Sequence, residues 1–548
     1  MINISVDNIT KQYEAGVTVE QIVKDLFPDR IILLCEVNHE LHGLLHRIYT
    51  DSVLIPFDNS TTEGRRIYQK TALFILLKAI QDVYPMIPLA EIIVRFSIGN
   101  GLFVQIKNND VSDEMVANIK ERMSEIVHSA IPIKKNQLGL DYAINLLDKV
   151  GMYDKIKLLK YRKSSNVTLY SMDNLVNYCF DFVGTNTSCI TSFDLIKYKS
   201  GIVLTTPTIL NPNITEPFTC SSKLFDVLFD YSTLMESSDL GLISDFNEHL
   251  SKDGFISSIL LQEALMEEQI SDIARKIASD KRIKIVLIAG PSSSGKTTFS
   301  HRLSVQLKVN GLIGHPLETD NYYKGHELTP IGEDGKPDYE CIEAMDVDSF
   351  VSDCMKLLDG DIVPVPKYNF ITGKREYLGT TLQLTDNDIL LAEGIHCLDP
   401  KMIGDIPEEK IFRIYIAPLA QINLDNTNSI YPEDIRLIRR IIRDNRGRGL
   451  SASRTIAQWP SVRRGEEKYV LPFRDTADAI FNSSMIYELG ILKPYVEVLL
   501  YGIRMDDPSY AIASRLLKLL DYILAVPSNL IPTNSLLSEF VGGNIFGV

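Results

Sequence analysis

The sequence lacks the features that would place a chain in a membrane, outside the cell or on a polyanion. No apolar run approaches the roughly 18 residues of a membrane-crossing helix. The start, Met1-Ile2-Asn3-Ile4-Ser5-Val6-Asp7, has no basic stretch ahead of an apolar one, so no signal peptide is expected. The seven cysteines (35, 179, 189, 220, 341, 354 and 397) form no CxxC pair. An odd, scattered set predicts buried thiols in a reducing compartment rather than a disulfide framework. Basic residues are in deficit: 56 Lys and Arg against 71 Asp and Glu leave a net charge of −15. That balance speaks against a general nucleic-acid or anionic-membrane binder and leaves room only for a local basic site. A cytoplasmic protein is expected. At 548 residues the chain is too long for one core, and about three to four domains are expected.

What is present is most informative at Gly290-Pro291-Ser292-Ser293-Ser294-Gly295-Lys296-Thr297, a full match to G-x-x-x-x-G-K-[ST]. Before it, Ile283 to Ala289 is an apolar, β-branched run suited to a buried parallel strand. After it, Thr298 to Leu307 has helical spacing. Strand, loop and helix together gather backbone N–H groups at a helix N-terminus, where phosphate is stabilised. Gly290 and Gly295 let the backbone wrap closely, Lys296 can reach the β/γ-phosphates, and the Thr297 hydroxyl can ligate Mg²⁺.

Phosphoryl transfer also needs a base to take the attacking hydroxyl's proton, a metal carboxylate and positive charge around the phosphoryl group. Asp320, in Leu317-Glu318-Thr319-Asp320-Asn321-Tyr322-Tyr323-Lys324, fits an acidic turn at a strand end facing the loop's crevice, able to accept a proton and help hold Mg²⁺. Glu393 ends the buried strand pattern of Asp388 to Ala392 and is followed by Gly394, where a metal-associated carboxylate belongs. Arg436, Arg439, Arg440 and Arg443 share one broad helical face in a run that continues to Arg446 and Arg448, a phosphate-binding pattern inside an acidic chain. A second basic cluster, Arg463-Arg464-Gly465-Glu466-Glu467-Lys468, is expected in a lid.

These motifs, in order GPSSSGKTT, TDNYYK, VPKYNF, LLAEGIH, RRIIRDNRGRG and AQWPSVRRGEEKY, resemble the uridine kinase/phosphoribulokinase family of P-loop kinases. The resemblance implies an ATP- and Mg²⁺-dependent kinase of a small-molecule hydroxyl acceptor, most plausibly a nucleoside, with a mostly parallel sheet flanked by helices. It implies catalytic roles for Asp320, Lys296 and Arg443 and a donor site of residues 290–298 with Arg440 and Arg448. Thr297, Glu393 and Asp320 would hold the metal, and Tyr323, Tyr368 and Gln458 would lie near the acceptor. Two departures concern that acceptor. Gly373 stands near the place of a base-contacting histidine, and Asn369 replaces an aspartate. The ribose-binding acid has no clean equivalent; Asp338, Glu340 and Asp346 compete for it. A sugar or polyol kinase is therefore the alternative. Family analogy adds a homo-oligomer.

The remaining sequence divides into residues 1–62, 63–225, a helical connector 226–280 ahead of the kinase-like 281–500, and a helical tail 501–548. Strand patterns at Ile2 to Val6, Lys11 to Tyr13, Ile31 to Val37 and Ser52 to Phe57, with a Thr18-capped helix through Leu26, resemble the β-grasp TGS domain. Residues 63–225 resemble the α+β editing domain of threonyl-tRNA synthetases through Glu63-Gly64-Arg65-Arg66-Ile67-Tyr68 and Ile98-Gly99-Asn100-Gly101-Leu102-Phe103. Where that domain carries an HxxxH pair, Lys70 and Phe74 stand here, and the segment around Cys179 has no histidine, so no editing chemistry is expected. TGS domains accompany RNA-handling proteins, which makes an RNA-associated NTPase switch a further reading; the acidic balance weighs against it. His39, His42 and His46 are expected to be scattered by strand alternation. The tail, with Gly542-Gly543, receives no chemistry.

Overall fold

The computed structural model describes residues 1–7, 9–252, 255–332, 335, 337–369, 372–419 and 422–547. In the first unit five strands lie in the order Ile9–Tyr13, Ile2–Val6, Ser52–Phe57, Leu34–Val37 and Glu40–His42. Only Ile2–Val6 and Ser52–Phe57 run parallel. The helix Val19–Leu26 packs Val19 and Ile22 against Ile4, Cys35 and Leu54. It starts where the sequence says: Thr18 accepts from the Gln21 N–H while the Gln21 side chain accepts from the Thr18 N–H. The three histidines are not scattered. The chain reverses between Glu40–His42 and Arg47–Ile48, which brings the His42 and His46 rings to 3.7 Å, stacked, while His39 turns away to Glu36. Burial then pushes His42 down to about 4 and lowers His46 as well, which favours the uncharged form of both rings.

The second unit is built on the helix Thr62–Val83, whose residues from Ile67 to Ile80 are all buried, the amines of Lys70 and Lys78 included. A helix buried on every face must be central. One antiparallel sheet has the order Asp194–Tyr198, Gly201–Thr205, Gly101–Ile106 and Ile92–Ile98; a second joins Lys134–Gly139, Asn166–Met172 and Leu175–Tyr178. The connector is helical, and its first helix, Ser222–Ser237, runs through the expected boundary at 225. Ile243–Ser251 and Phe255–Ser279 follow and lead into the phosphate-loop strand.

That strand, Ile285–Ala289, lies in the middle of a five-stranded parallel sheet ordered Ile313–Glu318, Asp388–Gly394, Ile285–Ala289, Ile411–Ala417 and Ala479–Asn482. Its neighbours on both sides are apolar, which explains its continuous β-branched run. Helices Lys296–Val309, Val347–Leu358, Pro432–Arg448, Ala452–Tyr469 and Glu488–Tyr501 surround the sheet. No helix among the described residues is long and apolar enough to cross a membrane.

The kinase-like region is locked to the second unit by the segment after Ile411–Ala417. The Val94 N–H donates to the Asn426 carbonyl (2.8 Å), and Asn423 Nδ2 returns a bond to the Val94 carbonyl (2.6 Å). Lys155 Nζ, fully buried, donates to Asp425 Oδ1 and Thr427 Oγ1, both at 2.9 Å. The Phe180 N–H donates to Asn428 Oδ1 at 3.0 Å. Lys70 lies over the same segment, 3.4 Å from the Thr427 carbonyl and from Asn428 Oδ1. A few residues on, Asp434 at the start of Pro432–Arg448 is shared by Arg66 of the second unit (2.8 Å) and Arg515 of the tail (2.5 Å). Although burial opposes its charge, the two guanidiniums hold this carboxyl well below the usual carboxylate range. Its stabilising charge is fully present above about pH 4 and is lost as pH falls below that. Asp434→Ala strands two buried arginines, and we expect a loss of ~3–5 kcal/mol, read as a lower melting temperature at pH 7 that Arg66→Ala alone does not reach.

Candidate active site

The phosphate loop leaves the central strand through Gly290, where a Cβ would fall 2.0 Å from the Ile416 carbonyl oxygen; only glycine fits so close a backbone. It enters Lys296–Val309 through Gly295 at φ +87°. Lys296 Nζ donates to the carbonyls of Gly290 (3.1 Å) and Pro291 (3.3 Å) and so stays over the loop. The hydroxyls of Ser293 and Ser294 are buried without a hydrogen-bond partner among the described residues. Buried polar groups are ordinarily satisfied, so a cradle of N–H groups with two spare hydroxyls fits a phosphate chain.

The arginine cluster divides into two functions. Arg436 is consumed by a buried pair with Glu466, and Arg439 by one with Glu488. Both also reach the carbonyls of Ser292 and Ser293 (3.5 and 3.3 Å) and brace the loop from behind. Arg440 Nη1 and Arg443 Nη2 instead donate to Ser292 Oγ at 2.9 and 3.4 Å, at the loop's phosphate-facing edge. Asp444, fully buried, lies 3.3 Å from Arg440, 3.9 Å from Arg443 and 3.1 Å from Arg448 and holds all three near the loop. Sequence reasoning passed over Glu466, Glu488 and Asp444 because it scored only the cations. The cluster at 463–468, expected in a lid, is helical. It lies inside the helix Ala452–Tyr469, with Arg463 tied to Glu433, Glu466 and Glu467.

Parallel pairing sets Glu318 opposite Glu393, so the strand ends bring their acids to one place. Thr297 Oγ1 donates to Glu393 Oε1 at 2.7 Å. Burial pushes the Glu393 carboxyl up to about 7, with Lys296 pulling the other way. Asp320 makes no side-chain hydrogen bond or ion pair among the described residues; burial raises its pKa and Lys296, Arg448 and Arg443 oppose the rise. No group of three or more His, Cys, Asp or Glu side chains forms a metal cage among the described residues. A hydroxyl and two carboxylates beside a phosphate cradle is nevertheless a Mg²⁺ donor set, because that ion takes few protein ligands and completes its shell with phosphate oxygens and water.

On the far side of Asp320 lie the acceptor candidates. The Tyr323 and Tyr368 rings are 5.7 Å apart; Tyr323 OH donates to the Tyr339 carbonyl (2.9 Å) and Tyr368 OH to the Lys324 carbonyl (3.3 Å). Of the competing acids, Asp346 caps Val347–Leu358 and pairs with Arg375 at 2.9 Å, and Asp338 accepts from the Glu340 N–H at 3.0 Å. The Glu340 carboxylate has no partner among the described residues, and burial pushes it up to about 7 against the pull of Arg440. Gln458 is exposed and makes no hydrogen bond among the described residues. Phe370 and Ile371 of the VPKYNF motif lie outside the described residues.

Two histidines were missed. A Cβ on Gly373 (φ +65°) would fall 2.3 Å from the His326 ring, so an imidazole from a different segment occupies the space beside that glycine. His396, 1% exposed, lies near the Glu340 backbone and makes no hydrogen bond of ordinary geometry from either ring nitrogen among the described residues. Burial pushes it down to about 4, against the nearby Glu343 carboxylate. The signal in the sequence was a polar residue two positions after the glycine that ends a buried strand.

Residues 285–488 match the family model described as Phosphoribulokinase / Uridine kinase family, so the C-terminal region carries a domain of that family. Uridine kinase of Staphylococcus aureus (strain JH9) is 29% identical over 204 residues, which is 36% of this chain and 87% of the relative. Among solved structures, a possible uridine kinase from Bacillus stearothermophilus (18% identity, TM-score 0.26) matches 39% of this chain and 97% of its own. D-glycerate 3-kinase from Cryptococcus neoformans (11%, TM-score 0.28) matches 38% and 89%.

Glycines test the packing of the site. A Cβ at Gly394 would fall 1.8 Å from Thr319 Oγ1, whereas one at Gly447 meets nothing within 4 Å. Gly394→Ala should lower the melting temperature and nucleotide affinity together. Gly447→Ala, in an exposed helical position, should leave stability unchanged or raise it by up to ~1 kcal/mol.

Proposed function

We propose that this protein is an ATP- and Mg²⁺-dependent kinase that transfers the γ-phosphoryl group to a hydroxyl of a small molecule, a nucleoside or a ribose-like compound. One observation carries the reading: Asp320 is a half-buried carboxyl with no side-chain hydrogen bond among the described residues, beside Lys296, Arg443 and the Thr297–Glu393 pair. Its raised pKa suits a base that must accept a proton near neutral pH. In this mechanism Asp320 orients the acceptor hydroxyl and takes its proton. Lys296, Arg440 and Arg443 offset charge that spreads over the transferred group, already positioned by the backing pairs of Arg436 and Arg439. Thr297, Glu393 and Asp320 would hold Mg²⁺, which supplies charge neutralisation across the phosphates.

The acceptor side supports a polyhydroxylated ligand with an aromatic or sugar face. Glu340 and His396 offer spare hydrogen-bonding groups, and Tyr323, Tyr368 and His326 offer rings. His326 beside Gly373 gives a nucleoside base an imidazole to meet, which favours the nucleoside over a plain polyol.

The mixed sheet with one packed helix in residues 1–62 supports a TGS-like β-grasp reading, and residues 63–225 support an editing-like one. In the latter the region of Lys70 and Cys179 is covered by the kinase segment 425–428. We read it as a docking surface for the kinase domain rather than a reaction centre.

The test is ATP consumption with Mg²⁺ across nucleosides, sugars and polyols, with mass spectrometry of products. A phosphorylated nucleoside is expected; a product only from sugars or polyols would move the substrate class, and none at all would sink the reading. Asp320→Asn should lose ~10²–10⁴-fold in turnover while ATP still binds. Because Glu393 must be charged to hold the metal, kcat/KM should fall as pH drops through about 7.

A further inference from the structure

The C-terminal segment lies outside the matched family region and received no chemistry from the sequence, yet it covers the phosphate loop. Leu536 packs within 3.7 Å of where a Gly295 Cβ would be, and Phe540, fully buried, lies 5.2 Å beneath the Arg439 guanidinium. Arg446 Nη1 donates to the Phe540 carbonyl at 2.9 Å. Gly542 and Gly543, at φ +99° and +78°, then turn the chain back over the loop's helix. At Gly542 a Cβ would also meet Arg446 Nη1 at 3.2 Å. The return places the Phe546 ring on His301, 5.2 Å centre to centre.

The outcome is concentrated on Thr298, which is fully buried. Glu539 Oε2 accepts from its hydroxyl at 3.0 Å and from its backbone N–H at 3.4 Å, and Asn544 Nδ2 donates to the same hydroxyl at 3.0 Å. The Phe299 N–H already bonds the Gly295 carbonyl, so Thr298 carries the last free donor of this helix N-terminus. In a phosphate loop the lysine serves the β/γ end, the Ser/Thr hydroxyl serves the metal, and the remaining N–H groups cradle the α/β end. Thr298, one residue past the metal-binding hydroxyl, therefore belongs to the α-phosphate. What occupies it here is a carboxylate from the protein's own tail.

We propose that residues 535–547 form a wall of the donor-nucleotide site, and that Glu539 is a built-in competitor for the α-phosphate position on Thr298. The inference rests on the donor reading above. Phe540 and Leu536 anchor the segment, so ATP need displace only the Glu539 side chain, not the tail. Two anions cannot share one N–H at a helix N-terminus without repulsion. The carboxylate thus sets a threshold that a nucleoside triphosphate must exceed and keeps the loop ordered when none is bound.

The experiment is calorimetric titration of the full chain with MgATP, comparing wild type, Glu539→Gln and Lys296→Ala. Glu539→Gln should bind ATP roughly three- to tenfold more tightly and lower KM for ATP. Glu539→Asp, which withdraws the charge by one methylene, should tighten binding less. Unchanged ATP affinity in Glu539→Gln would show that the carboxylate is not in the phosphate's place. Weaker affinity would show that it supports the nucleotide instead; either result overturns the proposal. Failure of the donor reading looks different: wild type and Lys296→Ala would then show the same affinity for ATP, or none.

Discussion

Buried carboxylates opposite buried guanidiniums govern this molecule. The helix Pro432–Arg448 carries its arginines into an interior that would reject them one by one, because an unpaired buried charge costs several kcal/mol. Glu466, Glu488 and Asp444 make those positions tenable, and Asp434 at the start of the same helix does as much for Arg66 and Arg515. Asp434 draws in the second unit and the tail, while Glu466 and Glu488 tie in the two following helices. With those partners fixed, Arg440 and Arg443 have one place left to point, the edge of the phosphate loop. The organisation of the site is thus a by-product of satisfying charge elsewhere.

The same logic explains why the N-terminal units are not loosely tethered. The segment leading into the arginine helix is held by Val94, Lys155 and Phe180 through short, buried bonds. Such bonds are costly to leave unmade, so the second unit and the helix move as one body, and the position of Arg443 depends in part on residues three hundred positions away in sequence.

The sequence was most legible where local rules suffice. The capping box at Thr18, the strand before Gly290 and the glycines of the loop are set by near neighbours and by backbone geometry. The roles of the individual arginines were not, because a helical wheel shows which face they share and not which acid waits opposite. The stacking of His42 on His46 was hidden by a chain reversal that alternation does not anticipate. His326 beside Gly373 was invisible for a deeper reason: two segments exchange a side chain for a space, and a motif read along one segment registers only the loss.

The long-range pairs also impose an order on synthesis. Lys155 and its partner Asp425 are 270 residues apart, so at ordinary elongation rates the lysine leaves the ribosome on the order of tens of seconds before its counter-charge exists. During that interval the central helix already has the apolar residues of its own half around it, but Lys155 has only its neighbour Asp154 and Lys70 lacks its contacts with Thr427 and Asn428. What must wait is the seam: the bonds that Val94, Lys155 and Arg66 make to residues 425–434 can close only once the kinase-like region is made, so in terms of time rather than energy the two regions complete their packing together.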